Sequence, residues 1–140
     1  MRLVDSNVLV YAFDASDKRK HEIAKKLLED CAMGGETLGL SVQNLSEFFF
    51  VSTQKLKHFL PPAIARNAVE SLCSIKNFSI LPIESADVLK AVRLCDDFHA
   101  HYWDCLLASV MLRNGIFEIY TENVGDFSRL PGIKAINPFT

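Results

Sequence analysis

Short apolar runs alternate with segments of helical periodicity along the chain, and this alternation limits the fold more than any other feature. The runs are Leu3-Val4, TLGLS (37–41), FSILPI (78–83), FEIYT (117–121) and IKAIN (133–137). Between them, HEIAKKLLEDCAMGG (21–35) has apolar residues at 23, 24, 27, 28 and 31, with Gly34-Gly35 as its stop. SVQNLSEFFFVSTQKL (41–56) reads as a helix buried nearly all round, and Pro61-Pro62 opens another that runs to about Lys76. SADVLKAVRLCDDF (85–98) is helical with a Ser85 cap, and YWDCLLASVMLRNG (102–115) is a helix ending at Asn-Gly. Strands separated by helices predict an α/β fold with a mainly parallel sheet. No linker, repeat or low-complexity tract divides residues 1–140, so a single domain is expected. Right-handed crossovers collect the C-terminal ends of such strands on one edge, where parallel sheets place their sites.

Asp5 follows the first run directly, and TENVGDF (121–127) follows the fourth, so both belong on that edge. As turn and cap chemistry, Asp5-Ser6-Asn7 needs no function. Other acids also stand where acids are costly. Glu47 is the only charge between Val42 and Val51. Asp104 is the only acid between Phe98 and Phe117. Asp126 precedes Phe127, which draws its loop back onto the core. Each has a purely structural explanation: a buried cation for Glu47, the helix dipole for Asp104, a loop for Asp126. Asp5, Glu47 and Asp104 nevertheless lie on three elements whose ends converge, and carboxylates gathered there repel one another unless a cation joins them. All-oxygen ligation selects Mg²⁺ or Mn²⁺ over zinc, and such centres commonly hydrolyse phosphodiesters.

The pieces VDSNVLVYAFD, LSVQNLSEFF, YWDCLLASVMLRNG and YTENVGDF, with a closing INPF, resemble the PIN-domain family in order and spacing over essentially the whole length. Within it they resemble the VapC-type toxin ribonucleases of toxin–antitoxin pairs. The resemblance implies a three-layer α/β/α sandwich and a divalent-metal-dependent endoribonuclease. Its first acid falls on Asp5, its Glu on Glu47 and its central Asp on Asp104. Ser6 and Asn7 are expected to hold the Asp5 carboxylate and cap the next helix. The family's fourth acid usually lies two residues after a strand-ending Thr. Thr121 fills the Thr position here, but Asn123 stands where the acid belongs and the acid is displaced to Asp126. The resemblance further implies an RNA substrate, a VapB-like antitoxin and a homodimer, with part of Phe48-Phe49-Phe50 at the subunit interface.

The net charge of −2 excludes a protein that coats nucleic acid through a global basic field. Lys18-Arg19-Lys20-His21 and Lys55-Leu56-Lys57-His58 are local basic clusters, and a solvated helix face accounts for most of such lysines. His99 and His101 flank the approach to Asp104, but hydrolysis of this kind needs no histidine base. Tyr102-Trp103 is expected to pack beneath its helix, with base stacking as the alternative. No apolar run reaches membrane-spanning length, and Asp5 breaks any signal-peptide core. Four cysteines without a CxxC pair fit a reduced, cytoplasmic chain.

Three other readings compete. An aspartyl phosphatase of the haloacid-dehalogenase type opens with a similar Asp but needs DxD, where this chain has Asn7. A phospho-accepting receiver domain needs an early acidic pair and a late Lys after a strand, and here Glu122 follows that strand. A PIN fold with weakened catalysis would serve only to bind RNA or protein.

Overall fold

The computed structural model describes Met1–Thr140. The first strand, β1 (Arg2–Val4), gives way to helix at Ser6, because Asp5, itself still extended, caps the helix by accepting a hydrogen bond from the Ser6 amide on its side chain. Helix α1 (Ser6–Phe13) starts there. The cap is thus Asp5 itself, and Ser6 and Asn7 are the first helical residues rather than the cap. Asp17 caps α2 (Lys18–Ala32), which stops before Gly34 at φ +89°, a conformation open to glycine.

Strand β2 (Leu38–Ser41) is buried throughout. Its last residue caps α3 (Val42–Gln54) through a reciprocal pair: Ser41 Oγ accepts from the Gln43 amide, and Asn44 Oδ1 accepts from the Ser41 amide. Helix α3 is not buried nearly all round. It packs Phe48 and Asn44 inward against its neighbours, while Phe49 and Phe50 face solvent at 41% and 53% exposure. Pro62 opens α4 (Pro62–Ser74), β3 (Phe78–Leu81) follows, and α5 (Ser85–Phe98) begins at a Glu84 cap, one residue before the expected Ser85. His99, at φ +52°, ends α5 and turns the chain into α6 (Tyr102–Arg113). The chain closes with β4 (Glu118–Tyr120), α7 (Val124–Phe127) and β5 (Lys134–Ile136).

All five strands pair in parallel, in the order β3-β2-β1-β4-β5. Successive residues of β1 point to opposite faces, so Leu3 and Val4 enter different cores. Leu3 joins Ile119, Phe127 and the buried stretch Cys105–Met111 under α5 and α6. Val4 joins Leu38, Leu40, Phe48 and residues of α1, α2 and α4 on the other side. The result is the expected three-layer α/β/α sandwich, with the two apolar layers meeting only through the sheet.

Candidate functional site

The chain runs outward from β1 through β2 to β3, then returns to lay β4 on the opposite side of β1. Helical connections therefore part at the C-terminal ends of β1 and β4, which opens a crevice there. The register sets Val4 beside Tyr120, and the Asp5 amide donates to the Tyr120 carbonyl at 3.0 Å. Asp5 and Thr121 thus emerge as neighbours although 116 residues separate them.

The Asp5 carboxylate is buried, and both of its oxygens accept hydrogen bonds. Oδ1 accepts from the Ser6 amide at 2.7 Å and from Asn44 Nδ2 at 3.4 Å. Oδ2 accepts from Thr121 Oγ1 at 2.7 Å and Asn7 Nδ2 at 3.2 Å. Burial pushes its pKa up, the Thr121 and Ser6 hydrogen bonds pull it down, the Glu47 charge adds to the rise, and the net direction is upward. Thr121 also accepts from the Asn123 amide, and Asn7 Oδ1 accepts from the Glu122 amide, so the loop after β4 is tied to the start of α1.

Glu47 projects from the middle of α3. The Ser6 hydroxyl donates to its Oε2 at 2.8 Å, and Gln43 Nε2 donates to its Oε1 at 2.9 Å. Asp104 lies in the first turn of α6, where burial and then the charges of Asp126, Asp5 and Glu47 raise its pKa to about 6, against the lowering influence of His101. These side chains line a cleft of about 340 Å³ that also receives Ser6, Asn7, Asn123, Glu122, Asp14 and Tyr11. Asp126 stands outside the lining on α7, but its charge is the second-largest influence on Asp104. Thr121 supports the cleft from below as a fully buried side chain.

No lysine or arginine pairs with Asp5, Glu47, Asp104 or Asp126; the ion pairs of the chain are all made by other acids. The cation expected if Glu47 were a structural residue is not there. Lys20 reaches the rim but is held by Glu122. A group of hard oxygen donors with excess negative charge and no protein cation suits a divalent ion. As the side chains stand, no three His, Cys, Asp or Glu groups are near enough to enclose one. The fit lies in the donor chemistry and in the unrelieved charge on Asp104.

Two supporting residues escape a reading of the sequence for charge. Gln43 holds Glu47 and the Trp103 carbonyl at once, and Asn44 joins the α3 cap to Asp5. Asn44 had a signal in the Ser41-x-x-Asn44 capping spacing; Gln43 had none. Trp103 does not pack beneath α6: the inward stretch begins at Cys105, and Trp103, on the turn before it, is 60% exposed.

The PIN domain family profile matches residues 2–133. A search of curated protein sequences finds no match. Among solved structures, the chain is similar to VapC20 of Mycobacterium tuberculosis, a sarcin–ricin loop cleaving toxin. That likeness has 21% identity and a TM-score of 0.70, over 91% of this chain and 93% of that one. A toxin–antitoxin complex from Klebsiella pneumoniae matches at 20% identity and TM-score 0.67, over 99% and 98% of the two chains. VapBC2 of Rickettsia felis, bound to a DNA fragment from its promoter, matches at 18% identity and TM-score 0.70, over 97% of each chain. At such identities the likeness is one of fold.

Proposed function

Because the chain belongs to the PIN-domain family, we propose that it is a divalent-metal-dependent endoribonuclease, the toxin of a VapBC-type toxin–antitoxin pair. The observation that carries this reading is the set of acids without a cation at the β1–β4 switch point, with Asp104 raised to about pKa 6 by burial and then by the neighbouring carboxylates. Asp5, Glu47, Asp104 and Asp126 are the residues we assign to catalysis and to Mg²⁺ or Mn²⁺, with Asn123 as the neutral alternative at the fourth position. Such an ion, when bound, neutralises the phosphate and lowers the pKa of the attacking water. The chain's own part is orientation. Thr121, Asn7, Asn44 and Ser6 fix Asp5, Ser6 and Gln43 fix Glu47, and the first turn of α6 presents Asp104. Partners proposed on the strength of the toxin–antitoxin relatives are a VapB-like antitoxin and a second copy of the chain in a homodimer. The setting that suits them is the cytoplasm, and no helix is long and apolar enough to cross a membrane.

The test is RNA cleavage with Mg²⁺ or Mn²⁺, with EDTA, and with Asp5→Asn. Cleavage should stop in EDTA, and Asp5→Asn should lose at least ~10²-fold in rate, since metal catalysis supplies several kcal/mol of barrier lowering. Full activity in EDTA overturns the proposal. Asn123 lining the cleft in place of an acid favours a second reading, a PIN fold that binds RNA without cutting it. RNA binding with no cleavage under any metal would select that reading.

A further inference from the structure

Beside the acidic cleft lies a second hollow of different character. It measures about 600 Å³ and is walled by Val42, Phe50, Ile83 and Trp103, with Gln43 and Glu47 along one side. Glu47 belongs to both spaces. We propose that this groove takes an unpaired nucleotide of the RNA next to the one being cut, its base stacking on Trp103 and its phosphate facing Lys55. The inference deepens the ribonuclease reading and rests on it for the kind of ligand.

Glu47 stands between the two spaces, with Asp104 lining the cleft on one side of it and Trp103 walling the groove on the other, so a strand with its phosphate in the cleft has the indole within its next nucleotide's reach. The ring is exposed yet held: Tyr102 meets it edge-on with centroids 5.1 Å apart, and Gln43 Nε2 donates to the Trp103 carbonyl at 3.0 Å. The same amide nitrogen donates to Glu47, so one side chain locks the aromatic platform to the acid of the cleft. Phe50, the other exposed ring of the groove, carries Lys55 over its face at 5.6 Å. Lys55 has no acidic partner, and Lys57 follows it. Aromatic faces with an unpaired cation at their edge are what single-stranded nucleic acid requires, since every base offers a π-face and every nucleotide a phosphate. A wholly apolar occupant, such as the same face of a second copy, accounts less well for Lys55, whose ammonium it would cover without an anion to pair it.

Trp103 is the only tryptophan, so its emission reports on the groove alone. The experiment uses Asp5→Asn with millimolar Mg²⁺, which suppresses cleavage, and a short unpaired RNA titrated beside the same sequence as a duplex. Saturable quenching by the unpaired strand and little by the duplex is expected. By anisotropy of labelled RNA, Trp103→Ala in that background should bind roughly tenfold more weakly and Trp103→Phe close to the parent. Lys55→Ala should lower the salt slope by about 0.7, one phosphate's worth for a single strand. Unchanged Trp103 emission on addition of unpaired RNA overturns the inference. So does a spectral shift that follows protein concentration and ignores RNA, which marks the groove as a contact between copies. A protein that binds RNA through Trp103 but never cleaves it would keep this inference and lose the nuclease reading. Metal-dependent cleavage without quenching would do the reverse.

Discussion

Asp104 is raised to about pKa 6 in the fold, by burial first and by neighbouring carboxylates after it, so the folded chain holds its proton at pH values where the unfolded chain has released it. The sign follows. The metal-free protein gains from this group below the unfolded carboxylate pKa, and the gain is lost as pH rises through about 6. Asp104→Asn removes the penalty, so its melting temperature should exceed that of wild type at pH 7 in EDTA and match it near pH 4. After allowance for solvent screening the difference is on the order of 1 kcal/mol; thermal melts at the two pH values measure it, and a mutant that melts lower at both would make Asp104 a structural acid. Asp5, Glu47 and Asp104 were legible because each is a charge in an apolar context, a signal one-dimensional order preserves. Asp126 was legible only as an acid. That it stands off the cleft on α7 while acting on Asp104 is a fact of three-dimensional distance. Gln43 was not legible and Asn44 was legible only as a helix cap, because neutral amides on a helix take their meaning from what they face.

Helices α5 and α6 are joined by a clasp that has nothing to do with the cleft. Arg113, in the last turn of α6, donates from Nε and Nη2 to the two carboxylate oxygens of Asp87 at 2.9 Å each, and Nη2 also donates to the Pro82 carbonyl. Asp87 is 2% exposed and caps its own helix by accepting from the Glu84 amide. Burial raises its pKa, but the Arg113 guanidinium outweighs that and holds it below the usual range. Arg113→Met strands a buried carboxylate and should cost about 3 kcal/mol, read as a lower urea midpoint with an unchanged slope. A loss below 1 kcal/mol would show that water replaces the guanidinium. Elements were the most legible scale. All five strands and helices α4, α5 and α6 fall within a few residues of where periodicity puts them, whereas α7 is a single helical turn inside the stretch read as a loop around Asp126. The helix starts were less so, since Asp5 and Glu84 cap one residue before the polar residues that seemed to. Side-chain spacing shows where a helix can begin, and the hydrogen bond that begins it depends on backbone angles. The outer side of α3 was misjudged for another reason. Three successive phenylalanines cannot share one face of a helix, so Phe48 is buried and Phe49 and Phe50 are left outside.

At the scale of the molecule, a metal ion that binds only the folded chain must stabilise it by mass action. Mg²⁺ at about a hundred times its dissociation constant adds about 2.7 kcal/mol. Wild type should therefore melt higher in Mg²⁺ than in EDTA, and Asp5→Asn should gain much less. A wild-type midpoint indifferent to Mg²⁺ would assign the acids to structure. Topology was legible as a parallel sheet but not as an order, because periodicity does not say on which side of β1 the chain returns. That return has a consequence in time. β1 is the first strand to be made and β4 nearly the last, yet the two lie side by side, and Asp5 receives its Thr121 hydrogen bond across that seam. A chain still on the ribosome carries its first carboxylate without the wall that orients it, whatever helices have formed in between. The carboxylate cluster therefore comes together only once β4 has been made, and any chemistry that depends on it waits for that strand.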